Sequence, residues 1–345
     1  MKRSLLALGL AVLVSVLGGG AMSGSSVRGA EPTSVSGLHV VKTFTIPTTG
    51  EPRWDYITID PEARRLYVPQ ATRVVVLDAD KGTVLGEVAD TPGVHGVALV
   101  TDLHLGFASN GKNDTVSVFD TRTFKTVKTL KAGKKPDAII YDPFSKHVLV
   151  MNGNGGNVTV IDPTQLDVEP TTIEVGGKLE FAVTDWVGHV YVNVEDKDEV
   201  AVIDTKAMKV TAHWSLAPGT KPTGLAMDTV VFFDGAHRHL IVGCSNEKMI
   251  LVDTGSGKVV GTPRIGKGVD GVEWDNNSKL ALSANGQDGT LTVVQEDKSG
   301  HFAAVETIKT RQGARTLAVD GTGQVYLPCV VDAEKKTFGV LVLGR

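Results

Sequence analysis

Seven polar residues recur at the same point of a repeating pattern: Asp55, His95, Asp137, Glu180, Thr223, Asp270 and Arg315. Each stands five residues before the end of a short, mostly apolar run, the ends being Asp60, Val100, Asp142, Asp185, Asp228, Asp275 and Asp320. If those runs surround a common axis, the seven side chains face one another at one mouth and form a ligand-binding ring. Four carboxylates against one guanidinium give it a formal charge of −3 with the imidazole neutral. Carboxylates gathered in a low-dielectric mouth resist full ionisation, so either a cation binds there or some of them titrate high. Asp137, Glu180 and Asp270 are the candidate metal ligands, and an all-oxygen set favours Ca²⁺ or Mg²⁺ over zinc. Asp137 and Glu180 follow one another in the ring with no base between them. Asp55 and Arg315 meet where the ring would close and can pair. His95, between Asp55 and Asp137, is a ligand or a general base. A polar, solvated channel lining without a ligand is the plain alternative.

Other residues capable of chemistry read as structural. Asp78, Asp120, Asp162, Asp204 and Asp253 end equivalent runs, and their repetition points to carboxylates that accept backbone N–H bonds in turns. Cys244 and Cys329 hold the same place in two units that are not neighbours, so free buried thiols are expected, not a disulfide. His237 and His239 lie in a longer hairpin and read as solvated loop histidines. Gly153-Asn154-Gly155-Gly156 falls between two strands and not before a helix, which makes it a hairpin turn and not a phosphate cradle. No nucleophile elbow for Ser-His-Asp catalysis is present.

The elements that must position the ring come from the period. Val-Val-Leu-Asp78, Ser-Val-Phe-Asp120, Thr-Val-Ile-Asp162, Ala-Val-Ile-Asp204 and Ile-Leu-Val-Asp253 are spaced by 42, 42, 42 and 49 residues. Thr-Val-Val-Gln295 and Val-Leu-Val-Leu343 continue the series at 42 and 48. A fixed period of this size means a propeller or a solenoid. Each unit contains four short strands separated by Gly, Asn and Asp turns. The seventh unit stops after its third strand at the chain end. His39-Val-Val-Lys-Thr-Phe-Thr-Ile-Pro47 supplies a fourth, which would hide the edges of an open ring. The expected fold is all-β: a single seven-bladed β-propeller over about residues 35–345, with four-stranded blades and the last blade completed by the N-terminal strand.

Residues 106–123, Gly-Phe-Ala-Ser-Asn-Gly-Lys-Asn-Asp-Thr-Val-Ser-Val-Phe-Asp-Thr-Arg-Thr, resemble the repeat of the YVTN-family β-propellers, and residues 190–205 and 280–294 carry weaker copies. The chain after residue 30 is similar to the YncE-like extracytoplasmic members of that family. The resemblance implies the fold and export. It implies no single chemistry, because propellers host many activities.

Export also follows from the N-terminus itself. Met1-Lys2-Arg3 is basic, Leu5 to Leu17 is nearly all apolar, and three glycines follow. That is the pattern of a secretory signal peptide with a short leader over residues 1–30. The apolar run is too short to span a bilayer. Removing residues 1–30 takes away three bases and no acid, which shifts the net charge from −4 to −7. The body is therefore expected in the periplasm or outside the cell, as an acidic monomer without a membrane span. An acidic body with only Lys134-Lys135 and Lys335-Lys336 as compact basic pairs does not suit a nucleic-acid groove. The composition thus directs function to the ring: a binding protein for a small molecule, a cation or a partner protein. The enzymatic alternative is a metal-assisted hydrolase or lyase at the same mouth, with His95 and Glu180 in the catalytic roles.

Overall fold

In the computed structural model the chain is described over residues 35–47, 53–228 and 238–345. The expected signal segment, residues 1–30, lies outside this range, as does His237. Seven four-stranded antiparallel sheets account for all the strands. Regular helix among the described residues is limited to two single 3₁₀ turns, Thr101–Leu103 and Glu195–Lys197. No helix of the described residues is long and apolar enough to cross a membrane.

The innermost strands are Thr58–Asp60, Val94–Val100, Pro136–Asp142, Leu179–Thr184, Pro222–Met227, Val269–Asp275 and Ala318–Val319, in blades 1 to 7. Each packs against the next, and the seventh against the first, so they form a closed cycle around the axis. Blade 7 is ordered Ala318–Val319, Val325–Asp332, Thr337–Gly344 and then His39–Ile46. His39 pairs with Gly344 and Ile46 with Phe338, with one bulge between Val40 and Lys42. Phe44 and Ile46 are buried at this seam beside Trp54, Phe338 and Val340. The termini of the described fold meet as well, the Arg345 guanidinium donating from Nε to the Ser36 carbonyl at 2.9 Å.

Alternation explains the layers between blades. In Leu105–Asn110 and His147–Asn152 the apolar residues face both ways, because each inner sheet is covered on two sides. Phe107 and Val118 of blade 2 thus pack on Val148 and Val150 of blade 3. The repeated aspartates tie the turns as expected. Asp78 accepts from the backbone amides of Asp80 and Lys81 at 3.0 and 2.8 Å, and Asp120 from those of Arg122 and Thr123 at 2.8 and 2.9 Å. Cys244 and Cys329 are both free and buried.

Candidate functional site

In blades 2 to 6 the ring residue is the second residue of its innermost strand, and the ladder to the next strand is broken there by a bulge. The breaks lie at Val94/Val97, Pro136/Ile139, Leu179/Ala182, Pro222/Leu225 and Val269/Gly271. A bulge frees a residue from its own sheet and re-aims its side chain. The freed backbone bonds across to neighbouring blades: Tyr56 N donates to the His95 carbonyl at 3.0 Å, and Gly271 N to the Arg315 carbonyl at 2.8 Å. In blades 1 and 7 the innermost strands are short, and Asp55 and Arg315 precede them.

The structure joins five of the seven ring residues directly in one network, and Glu180 stands beside it with partners of its own. His95 Nδ1 lies 2.6 Å from Asp55 Oδ2 and 3.3 Å from Asp137 Oδ1. Arg315 Nε lies 2.8 Å from Asp270 Oδ2, and its Nη2 is 3.7 Å from Asp55 Oδ1 and 2.5 Å from the Trp54 carbonyl. Thr223 completes the circle, but its hydroxyl donates to the Val269 carbonyl at 3.0 Å and so is committed to the wall. Gly111 permits the approach at His95, since a Cβ there would lie 2.7 Å from His95 Nε2.

Two expectations need correction. Asp137 and Glu180 do have bases: Lys135 Nζ is 3.4 Å from Asp137 Oδ2, and Lys178 Nζ is 2.9 Å from Glu180 Oε1. Both lysines sit two residues upstream of the acid, just before the innermost strand begins. With Arg315 and His95 they set one base beside each of the four carboxylates, so the acids are not the unpartnered cluster read from the seven positions alone. Nor are Asp137, Glu180 and Asp270 the closest potential ligand set. Among the described residues, the group whose donor atoms all lie within 4.8 Å of one another is Asp55, His95 and Asp137.

A residue not anticipated for the site is Tyr56. It follows Asp55 in blade 1, yet its hydroxyl donates to Glu180 Oε2 of blade 4 at 3.4 Å. Blades 1 and 4 are not neighbours, so the side chain crosses the axis. Its ring packs on Phe181 with centroids 4.7 Å apart, and only 7% of the residue is exposed. Tyr56 thus floors the mouth with a hydroxyl set among the acids. The signal was in the repeat. The position after the ring residue is Gly96, Ala138, Gly224 and Gly271 in four blades, and Tyr56 and Phe181 break that small-residue pattern.

Burial dominates the electrostatics. It opposes charge on His95, but the hydrogen bond that His95 Nδ1 donates to Asp55 and the fields of Asp137 and Asp55 outweigh it and hold the imidazole above its ordinary value. Burial raises Asp137 despite His95. Burial and Asp137 push Glu180 up to about 7 against the pull of Lys178, and burial and Asp55 push Asp270 up to about 6 against Arg315. The tyrosine hydroxyl is raised well above its usual range by burial and by Asp270, Asp137, Glu180 and Asp55. Next to this network a cleft of about 610 Å³ is lined by Asp270 and Arg315 with Ser245, Gln287 and Gln312. It offers donors and acceptors of both charge signs, the chemistry of a polar ligand site.

Fold and site together define a seven-bladed β-propeller with a floored, charge-paired mouth. The fold is similar to that of three solved structures. One is titled Kuenenia stuttgartiensis hydrazine synthase, 17% identical over 86% of this chain and 97% of that one, with a TM-score of 0.68. Another is a chain of the mitotic checkpoint complex, 14% identical over 95% and 98%, with a TM-score of 0.72. The third is the dihydro-heme d1 dehydrogenase NirN in complex with DHE, 14% identical over 84% and 63%, with a TM-score of 0.62. At such identities the likeness is one of fold. No protein-family model and no curated protein matches the chain.

Proposed function

We propose that this protein is an exported, YVTN-like propeller that binds a small polar ligand at the ring mouth. The observation that carries the reading is the floor. Tyr56 reaches across the axis to Glu180 beneath a mouth that holds four carboxylates, each beside a base. A charge-paired mouth suits a ligand with its own donors and acceptors, such as a polyhydroxylated or zwitterionic molecule, better than a bare cation. Export is supported by the basic start and apolar run of residues 1–17, and kinship with the YVTN repeat by residues 106–123, which form a two-strand hairpin of blade 2.

A divalent cation is the second reading, favoured by the clustering of Asp55, His95 and Asp137. The imidazole nitrogen in that set moves the preference from Ca²⁺ or Mg²⁺ toward Mn²⁺ or Zn²⁺. A metal needs the imidazole deprotonated while the two carboxylates favour its protonated form, so metal affinity would rise with pH. Metal-assisted hydrolysis or lysis depends on this second reading and needs His95 as a base. Asp55 and Asp137 favour the protonated form of the imidazole, which works against a base, so binding is the better supported role.

Metal analysis of the purified protein and thermal melts with Ca²⁺, Mg²⁺, Mn²⁺ and Zn²⁺, and with a panel of polyols and zwitterions, test both. A ligand at 100 times its dissociation constant adds about 2.7 kcal/mol of stability, a shift that melts resolve. Asp137→Asn with Glu180→Gln should abolish the shift from any ring ligand. An undiminished shift in that double variant would place the ligand elsewhere.

A further inference from the structure

Tyr56 floors one enclosure, and a second lies at the opposite ends of the innermost strands. Two cavities of about 500 and 600 Å³ share Ile140, Tyr141, Phe181, Trp186, Glu273 and Val319, and so form lobes of one chamber. The ring residues stand at the starts of the innermost strands. The chamber is lined by their ends, such as Thr184, Met227 and Trp274, and therefore opens on the other face. Three residues beyond the ring position, Ala98, Ile140, Val183, Ala226 and Ala318 keep the wall apolar in five of the other six blades. In blade 6 that place belongs to Glu273.

We propose that this chamber is a second binding site, for a hydrophobic monocation whose ammonium or amidinium group pairs with Glu273 while its aliphatic or aromatic body lies along the apolar wall. Glu273 has no side-chain partner among the described residues, and its carboxyl meets only the backbone amide of Trp274. The cavity reaches it, but protein surrounds it closely enough that burial pushes it up to about 8. A lone carboxyl in an apolar wall is costly to ionise without a counter-charge, and a ligand cation supplies one. The other charged residues of the lining do not serve that need. Arg238 donates to the Asp185 carbonyl at 2.5 Å, and Asp102 is itself an acid that would repel an anionic ligand. Tyr141, Phe181 and Trp186 present aromatic surface, which attracts cations. Trp186 contributes to both lobes and is 65% exposed, held at a φ of 65° on a hairpin whose Gly188 lies beside the exposed Phe144. An exposed indole at the rim is placed to cover the body of a bound ligand.

The test uses the full chain and three probes of one shape: 4-phenylbutylamine, 4-phenylbutanol and 4-phenylbutyrate, titrated calorimetrically at pH 7.5. The amine is expected to bind at least tenfold more tightly than the alcohol, and the acid not measurably. Glu273→Gln should bring the amine down to the affinity of the alcohol. The amine stays protonated in this range, and burial raises the Tyr141 hydroxyl further above it, so pairing should expel the Glu273 proton. Amine affinity should then rise from pH 6 to pH 8. Equal affinities for amine and alcohol, an amine affinity unchanged in Glu273→Gln, tighter binding of the acid, or no binding of any probe at millimolar concentration would each overturn the proposal. Should the variant melt lower than the parent, the comparison of amine with alcohol on the unaltered chain decides by itself.

Discussion

At the scale of single residues, the axis stores protons. His95, Asp137, Glu180, Asp270 and Glu273 all have pKa values raised by folding. A raised pKa contributes stability that is fully present below the unfolded value and is lost as pH rises through the folded value. For Asp270, Glu180 and Glu273 the loss falls near pH 6, 7 and 8. The melting temperature should therefore climb as pH falls from about 8 to about 5. It should drop again below about 4, where acids with lowered values such as Asp162, Asp275 and Asp320 take up protons. Melts across pH 3–9 check this. Glu180→Gln combined with Glu273→Gln should flatten the limb between pH 6 and 8, and an unchanged limb in that variant would contradict the assignment.

At the scale of elements, the closing strand holds the ring together. Deleting residues 39–46 uncovers the whole of Thr337–Gly344 and removes Phe44 and Ile46 from the core. The truncated protein should melt well below the intact one and aggregate through the exposed edge, as light scattering would report. Phe44→Ala alone should cost about 3–5 kcal/mol in denaturant unfolding. Gly339→Ala is the sharper probe, because a Cβ there would stand 2.0 Å from the Phe44 carbonyl oxygen. The two strands cannot keep their pairing with any side chain at that position, so this small substitution should weaken closure as much as the loss of the phenylalanine.

At the scale of the whole molecule, blades keep apart what a sequence comparison alone might join. Cys244 and Cys329 lie in blades 5 and 7, and burial pushes both thiols up to about 12. Thiol titration without reductant should find two free thiols in denaturant and almost none reactive in the native state. The blade count, the closing strand and the ring positions were legible because a fixed period imposes one register on every copy. What the register does not carry is direction across the axis. It marks Tyr56 as an exception to the glycines and alanines at its position, but not that its ring spans to Glu180. It places Lys135 and Lys178 two residues before their acids, but pairing depends on how far a flexible stem folds back. Glu273 was legible only as a polar residue in a strand. The unpartnered carboxyl is a property of the six surrounding walls.

The contact between Arg345 and Ser36 means that this chain is a circle cut at one place. During synthesis the strand His39–Ile46 is made first and used last. At 5–20 residues per second it waits roughly 15–60 s for its partner. Moving the cut should change that history and leave the destination alone. A permuted chain, with Arg345 linked to Ser36 through a few glycines and new ends opened at the exposed Ser299–Gly300 turn, makes closure a local event. It should refold faster in stopped-flow experiments, because the longest loop no longer has to close last. It should still unfold at nearly the same denaturant midpoint. Equal refolding rates would mean that assembly of the other blades, and not the final seam, sets the pace.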